Sequence, residues 1–354
     1  MTALSDIGEF GLIRRFAPAF AEDWPPGAVG IGDDCAVLPW RRDARLLVTT
    51  DLLVEDVHFL RSRISPRDLG YKSLAVNLSD IAAMGGRPLA AFLSLGLPKG
   101  LDLDWTDAYF AGLRSLSRSE GVPLLGGDTT GSPGPLVVNL AVLGRAHPSR
   151  IKLRSGARPD DIVCVTGWLG DSGGGLRVLL EERPCGRDET LLVRRHHRPR
   201  PHLPEGEWLG RRSAVTAMMD VSDGIASDLQ RIMERSRCGA EVDLERLPTS
   251  AALRRTALRY GWSLDEVAAG GGEDYCLLAT IRAGDLGRVA AGFRRAFGRR
   301  LVPIGRITAD RERLVFLRKG RPVRLSRRGF DHFAGEREGP RNGGREKRTV
   351  ETRP

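Results

Sequence analysis

The chain has 354 residues, of which 41% are hydrophobic and 28% charged, with 55 Lys and Arg against 45 Asp and Glu. That composition excludes wholesale disorder, and the length fits two domains better than one. The net charge of +10 raises an anionic polymer as a partner, while the lack of any apolar run near the roughly 18 residues of a membrane span excludes a transmembrane helix.

The first residues, Met1 to Glu9, carry acids and lack the basic-then-apolar order of a signal peptide, so a cytoplasmic location is expected. Further on, apolar segments bounded by Gly and Pro alternate with helical patterns, which predicts a mixed α/β or α+β protein. Arg45 to Val54 is predicted as a buried strand carrying an acid near its end. Leu69 to Met84 is predicted as a helix, with Leu74, Leu78 and Ile81 on one face and Gly85, Gly86 and Pro88 as the stop. Leu89 to Leu97 and Pro135 to Gly144 are predicted strands, separated by an amphipathic helix over Trp105 to Glu120. A basic, Pro- and Gly-punctuated stretch from Ala146 to Pro159 marks a domain boundary. The expected domains are therefore 1–147 and 148–334, with a disordered basic tail at 335–354 where apolar residues nearly vanish.

The second half opens with a strand over Asp161 to Thr166 and the turn Gly167 to Gly175 (GWLGDSGGG), leading into a helix. That turn is a weak phosphate-cradle signal, and a tight strand-to-helix connection explains it better. Residues 183–212 are predicted to be irregular, with eight arginines against four acids. A helix over Val221 to Ser236 follows, with Ser222-Asp223 as its cap, and GGGEDYCLLATI opens another strand. The cysteines, Cys35, Cys164, Cys185, Cys238 and Cys276, are odd in number and show no zinc spacing, so reduced thiols are expected.

The informative feature is a set of acids, each beside Gly, Ser or Thr and near the end of an apolar element. They are Asp33, Asp34, Asp51, Asp80, Asp128, Asp220, Asp223, Glu273 and Asp274. Short acids at such junctions are rigidly presented, and adjacent glycines let a ligand approach the backbone. Gathered in one pocket they would repel one another unless cations filled it. Magnesium ions, which take oxygen ligands and bridge nucleotide phosphates, would meet that need. Thr49, Thr50, Thr129, Thr130 and Ser222 could supply further oxygens. Taken singly, each acid is better explained as a turn or cap residue; taken together, the spacing fits a metal site equally well. A GxxxxGK[ST] loop and an EF-hand loop are both absent.

GIGDDCAVL, VTTDLLVEDVHF, YKSLAVNLSDIAAMGGRP, LLGGDTT, GDSGGGL, DVSDGIASDL and GGGEDY occur in that order. With these motifs the chain resembles the thiamine-monophosphate kinases of the aminoimidazole-ribonucleotide synthetase superfamily, from about Gly8 to Phe333. The resemblance implies a two-domain α/β (α+β) fold, whose N-terminal domain pairs across a homodimer into a shared β-barrel and whose C-terminal α/β domain covers the site. It implies transfer of the γ-phosphoryl group of ATP to thiamine monophosphate, with several Mg²⁺ ions; a need for K⁺ stays open. By motif, Asp34, Thr49, Thr50, Asp51, Asp80, Asp128 and Asp220 resemble the Mg²⁺ ligands, Asp223 holds a further ion and Asp33 adjoins them. Gly127, Asp128, Arg154 and Ser222 match ATP contacts, and His58, Glu273 and Phe330 match substrate contacts. Asp51, Asp128 and Arg154 carry the expected catalytic roles. In RRHHRPRPHL the chain has His202 where the family usually has arginine.

Three alternatives compete. Related selenophosphate synthetases and carbamoyl dehydratases use a cysteine or selenocysteine that the corresponding segments here lack, the chain running out as Glu351-Thr-Arg-Pro354. A nucleic-acid-binding protein is disfavoured because only 6% of residues are aromatic and no basic run is interleaved with them. A metal-dependent phosphatase would use the same aspartates.

Overall fold

The computed structural model describes residues 11–15, 17–18, 25–311 and 313–326. Phe330 and the expected tail at 335–354 lie outside them. The described part of the body spans two sheets, and one helix between them sets most of the geometry.

The first sheet has the order β1-β2-β5-β3-β4, from β1 (Ala36–Arg41), β2 (Ala44–Val54), β3 (Arg87–Pro98), β4 (Leu124–Ser132) and β5 (Val137–Ala146). Only β3 and β4 run parallel; the other neighbours are antiparallel. The sheet is open, with β1 and β4 at its edges. Alternation sorts its residues onto two faces. Leu47, Leu53, Leu93, Leu95, Val138, Leu140 and Val142 are buried on one side. Leu52 and Phe92 stay exposed on the other.

Helices α1 (Pro66–Ala83) and α2 (Leu103–Glu120) cover the buried side. Ser65 caps α1, its Oγ accepting from the Asp68 N–H at 3.0 Å, and Pro66 follows where its missing N–H is harmless. Asp102 caps α2 through the Trp105 N–H at 2.6 Å, and Gly121 ends it at φ 66°. The two helices touch through glycines. A Cβ on Gly70 would lie 2.0 Å from the Tyr109 carbonyl oxygen, and one on Gly112 would lie 1.8 Å from that of Arg67. Gly112→Ala is therefore expected to force the helices apart and cost about 1–3 kcal/mol, read as a lower urea midpoint at unchanged slope. A midpoint equal to the parent's would mean that the helices are not so close.

The second sheet has the order β12-β11-β8-β10-β6-β9-β7. Its strands are β6 (Ile162–Val165), β7 (Val215–Asp220), β8 (Gly239–Asp243), β9 (Leu277–Ile281), β10 (Val302–Thr308), β11 (Leu314–Arg318) and β12 (Arg321–Val323). Helices α3 (Asp171–Leu180), α4 (Arg187–His197), α5 (Leu203–Gly210), α6 (Ile225–Ser236), α7 (Ala251–Tyr260), α8 (Leu264–Gly270) and α9 (Leu286–Phe297) complete this half. Helix α1 packs on the first sheet and also on β7, α4 and α5, so most of its residues are buried. No helix among the described residues is long and apolar enough to cross a membrane.

Two predicted elements differ. The stretch 183–212, expected to be irregular because of its charge, contains α4 and α5. Its periodicity wins: Glu189, Leu192 and His196 share a buried face while the arginines line the outer ones. The helix predicted from Val221 begins at Ile225 with Gly224 as its cap, leaving Ser222 and Asp223 in the preceding loop.

Candidate functional site

The acids converge where β2, the end of α1 and the end of β7 meet. Carboxylate oxygens of Asp34, Asp80 and Asp220 lie within 4.8 Å of one another. Asp34 precedes β1, Asp80 sits in the last turn of α1, and Asp220 closes β7. Hydroxyls hold two of them: Thr49 donates to Asp80, and Ser79 Oγ donates to Asp220 Oδ2 at 2.5 Å. Arg154, in the segment joining the sheets, binds both oxygens of Asp34, at 2.9 Å and 3.4 Å, and its backbone N–H donates to Asp33 Oδ1 at 2.6 Å.

The electrostatics show a cluster short of positive charge. Burial, then the charges of Asp223 and Asp34, push the Asp51 carboxyl up to about 6. Burial and Asp34 push Asp220 up to about 8. Asp80 rises well above its ordinary range through burial and the charges of Asp51, Asp220 and Asp34. Asp228, buried on α6, rises for the same reasons, with Asp223 and Asp220 as neighbours. Burial raises Asp33 too. An all-oxygen, buried, mutually repelling donor set suits a hard divalent cation, so these residues fit Mg²⁺. MgCl₂ is expected to raise the Tm of the metal-free protein, by about 2.7 kcal/mol of stabilisation at one hundred times Kd. Scanning fluorimetry against NaCl of equal ionic strength checks this, and an equal shift with NaCl would exclude a divalent site.

The register separates two of the expected ligands from this cluster. Thr49 and Asp51 share the helix-covered face of β2 with Leu47 and Leu53, whereas Thr50 pairs with Ala141 and, beyond it, Phe92. Asp128 pairs with Ser94, which pairs with Asn139, itself opposite Leu52. Thr50 and Asp128 therefore lie on the open face of the sheet. There Thr50 Oγ1 accepts from Asn139 Nδ2 at 2.9 Å, and Asp128 Oδ1 accepts from the Thr129 N–H at 2.9 Å. Gly127 has φ 154°, and a Cβ there would lie 1.7 Å from the Leu93 carbonyl oxygen; only glycine lets β4 approach β3 at this point.

A second group gathers around Glu273, which has φ 63°. The Glu273 N–H donates to the Ser222 carbonyl at 2.6 Å and the Tyr275 N–H to that of Val221 at 2.8 Å, stitching GGGEDY to DVSDG. Lys72 Nζ is 2.8 Å from Glu273 Oε1, and His196 Nδ1 is 3.1 Å from Oε2. Burial alone would raise the Glu273 carboxyl, but Lys72 and His196 outweigh it and hold it well below the usual range. Sequence reasoning missed Lys72 and His196. Their signal is helical spacing, which puts Lys72 with Leu69 and Val76, and His196 with Leu192, on buried faces. His58 follows β2, and its Nδ1 accepts from the Val54 N–H at 3.0 Å, so a neutral ring carries its proton on Nε2.

The GWLGDSGGG turn does not present a free helix terminus. Asp274 accepts from the Gly170 and Ser172 N–H groups at 2.5 Å and 3.2 Å, satisfying the start of α3. His202 is buried, with Nδ1 2.7 Å from Thr166 Oγ1, so the departure from arginine sits in the interior.

Models of the AIR synthase related protein family match both halves, the N-terminal domain over residues 32–146 and the C-terminal domain over 158–316. The chain is thus a two-domain α+β protein of the AIR synthase-related class. It is 42% identical over 337 residues to the thiamine-monophosphate kinase of Escherichia coli strain K12, covering 92% of this chain and 98% of that one. It is 36% identical to the Bacillus subtilis strain 168 enzyme of the same name, covering 92% of this chain and 100% of that one. A solved structure described as AaThiL complexed with AMPPCP and TMP superposes with a TM-score of 0.80 at 31% identity, covering 94% of this chain and 99% of that one. The chain belongs to the thiamine-monophosphate kinase family.

Proposed function

We propose that the protein transfers the γ-phosphoryl group of ATP to the phosphate of thiamine monophosphate, giving thiamine diphosphate and ADP, in the cytoplasm. The observation that carries this reading is the approach of Asp34, Asp80 and Asp220 to within 4.8 Å, in a chain of this family. An acceptor phosphate is nucleophilic at neutral pH, so no strong general base is needed, and catalysis rests on alignment and charge neutralisation. Asp33, Asp34, Thr49, Asp51, Asp80, Asp220 and Asp223 would hold several Mg²⁺ ions, which when bound neutralise charge on the nucleotide phosphates. Arg154 is set beside this cluster to meet the same phosphates, with Gly127 and Ser222 as further nucleotide contacts. Glu273 and the Nε2–H of His58 would face the substrate, and Phe330 would stack on its rings.

On this reading residues 1–147 form the nucleotide and metal domain and 148–334 the C-terminal domain. The protein acts as a homodimer whose first sheets pair into a shared barrel. The open face bearing exposed Leu52 and Phe92 supports that pairing. It also gives Thr50 and Asp128 a place in the assembly, since both lie on the face a second copy would cover. The test is incubation with ATP, MgCl₂ and thiamine monophosphate. Thiamine diphosphate formed in step with ADP is expected; free phosphate without the diphosphate ester would make the protein a phosphatase instead.

A further inference from the structure

Glu273 is gripped from two sides by groups that have little other electrostatic business in the fold. Lys72 is 1% exposed, on α1, most of whose residues are buried, and Glu273 is its ion-pair partner among the described residues. Its Nζ has no further hydrogen bond there. His196, at 6% side-chain exposure, comes from a different element and reaches the other oxygen of the same carboxylate, with Ser172 Oγ 3.0 Å from the same ring nitrogen. The carboxylate, in contrast, keeps 25% of its side chain open. A cation sealed behind an anion that remains accessible is not arranged as a closed structural pair. A buried pair of this kind is weak support for stability, because apolar side chains of similar volume in place of both partners would serve as well. What two donors on two different elements do supply is orientation. One oxygen is held by α1 and the other by α4, on a residue whose left-handed backbone already fixes where the side chain leaves the chain.

We propose that Lys72 and His196 are positioning residues for the substrate, fixing the Glu273 carboxylate in one orientation so that its open side meets the cationic rings of the thiamine moiety. The inference rests on the reading that Glu273 faces that moiety, and it adds the two residues that set the carboxylate in place. Orientation matters because a carboxylate free to rotate must be ordered again on each binding event, which weakens binding without altering the chemical step.

The experiment measures steady-state kinetics of the full-length protein at saturating ATP and MgCl₂, with calorimetric titration of thiamine monophosphate as a readout independent of turnover. Lys72→Met and Glu273→Gln are each expected to raise KM and Kd for thiamine monophosphate about tenfold, as for loss of a charge-assisted contact. KM for ATP should stay as it was. The double variant should bind no more weakly than Glu273→Gln alone, because Lys72 acts through Glu273. His196→Gln, which keeps a donor near Oε2, should retain affinity that His196→Ala loses. If Glu273→Gln weakens binding but Lys72→Met does not, or if the two effects multiply in the double variant, the positioning role is overturned while the substrate reading of Glu273 stands. If Glu273→Gln binds normally, the substrate reading itself falls. Should Lys72→Met fail to fold, the His196→Gln and His196→Ala pair decides by the same comparison, equal loss in both being the overturning result.

Discussion

Asp80→Asn is expected to abolish phosphoryl transfer while making the metal-free protein more stable. Asp80 sits among Asp34, Asp51 and Asp220, and those charges together with burial hold its carboxyl far above the usual range. Asparagine keeps the shape and can still accept from Thr49, yet it removes one of the repelling charges. The sign follows from linkage. A carboxyl whose folded pKa is raised stabilises the fold below its ordinary pKa of 3.8, and that contribution is lost as pH rises through the folded value. For Asp51 and Asp220 that loss extends to about 6 and about 8 respectively. Metal-free parent protein should therefore lose Tm from about pH 4 to pH 8, and Asp80→Asn should lose less. Turnover should fall by about a thousandfold or more if the group holds an ion that neutralises developing phosphate charge, as proposed above. Near-normal turnover, or a lower Tm for the variant at pH 8 without metal, would remove Asp80 from the cluster's chemistry.

Arg154→Met is expected to act in the opposite direction on stability. The Asp34 side chain is fully buried and Arg154 only 18% exposed, and the pair is bidentate. Removing the guanidinium leaves a buried carboxylate against three others, a change that costs about 3–5 kcal/mol when a buried pair is broken. Urea unfolding without metal measures it. Adding Asp34→Asn to Arg154→Met should recover most of that loss without recovering activity. A single variant as stable as the parent would mean that Asp34 is wetter than the structure has it.

The N-terminal half was legible because its signals are local. Gly85, Gly86 and Pro88 mark the stop of α1, and the spacing of Leu74, Leu78 and Ile81 gives its buried face; the observed α1 and α2 begin within three residues of the predicted bounds. The acid-bearing motifs contain Asp34, Asp80 and Asp220, the carboxylates that the fold brings together, each being a short acid at a junction. Strand register was not legible. Thr49, Thr50 and Asp51 are consecutive, and alternation sets the middle one apart, but which side meets the helices emerges only from the packed sheet. Partners that meet across the chain were also hidden, as with Lys72 and Glu273, 201 positions apart by their numbers. In α4 the arginines mask a helix, because their charge hides the period that buries Leu192 and His196.

Helix α1 carries a consequence for how the molecule can be divided. Its residues are buried on nearly every side, by the first sheet and α2 in one direction and by β7 and α5 in the other. Ser79 reaches from it to Asp220 in the second sheet. A cut in the linking segment would thus strip an apolar flank from one fragment and take a hydrogen-bond donor from the other. The two sequence-contiguous halves are better regarded as one cooperative unit, in which docking of the sheets and assembly of the acidic centre are the same event.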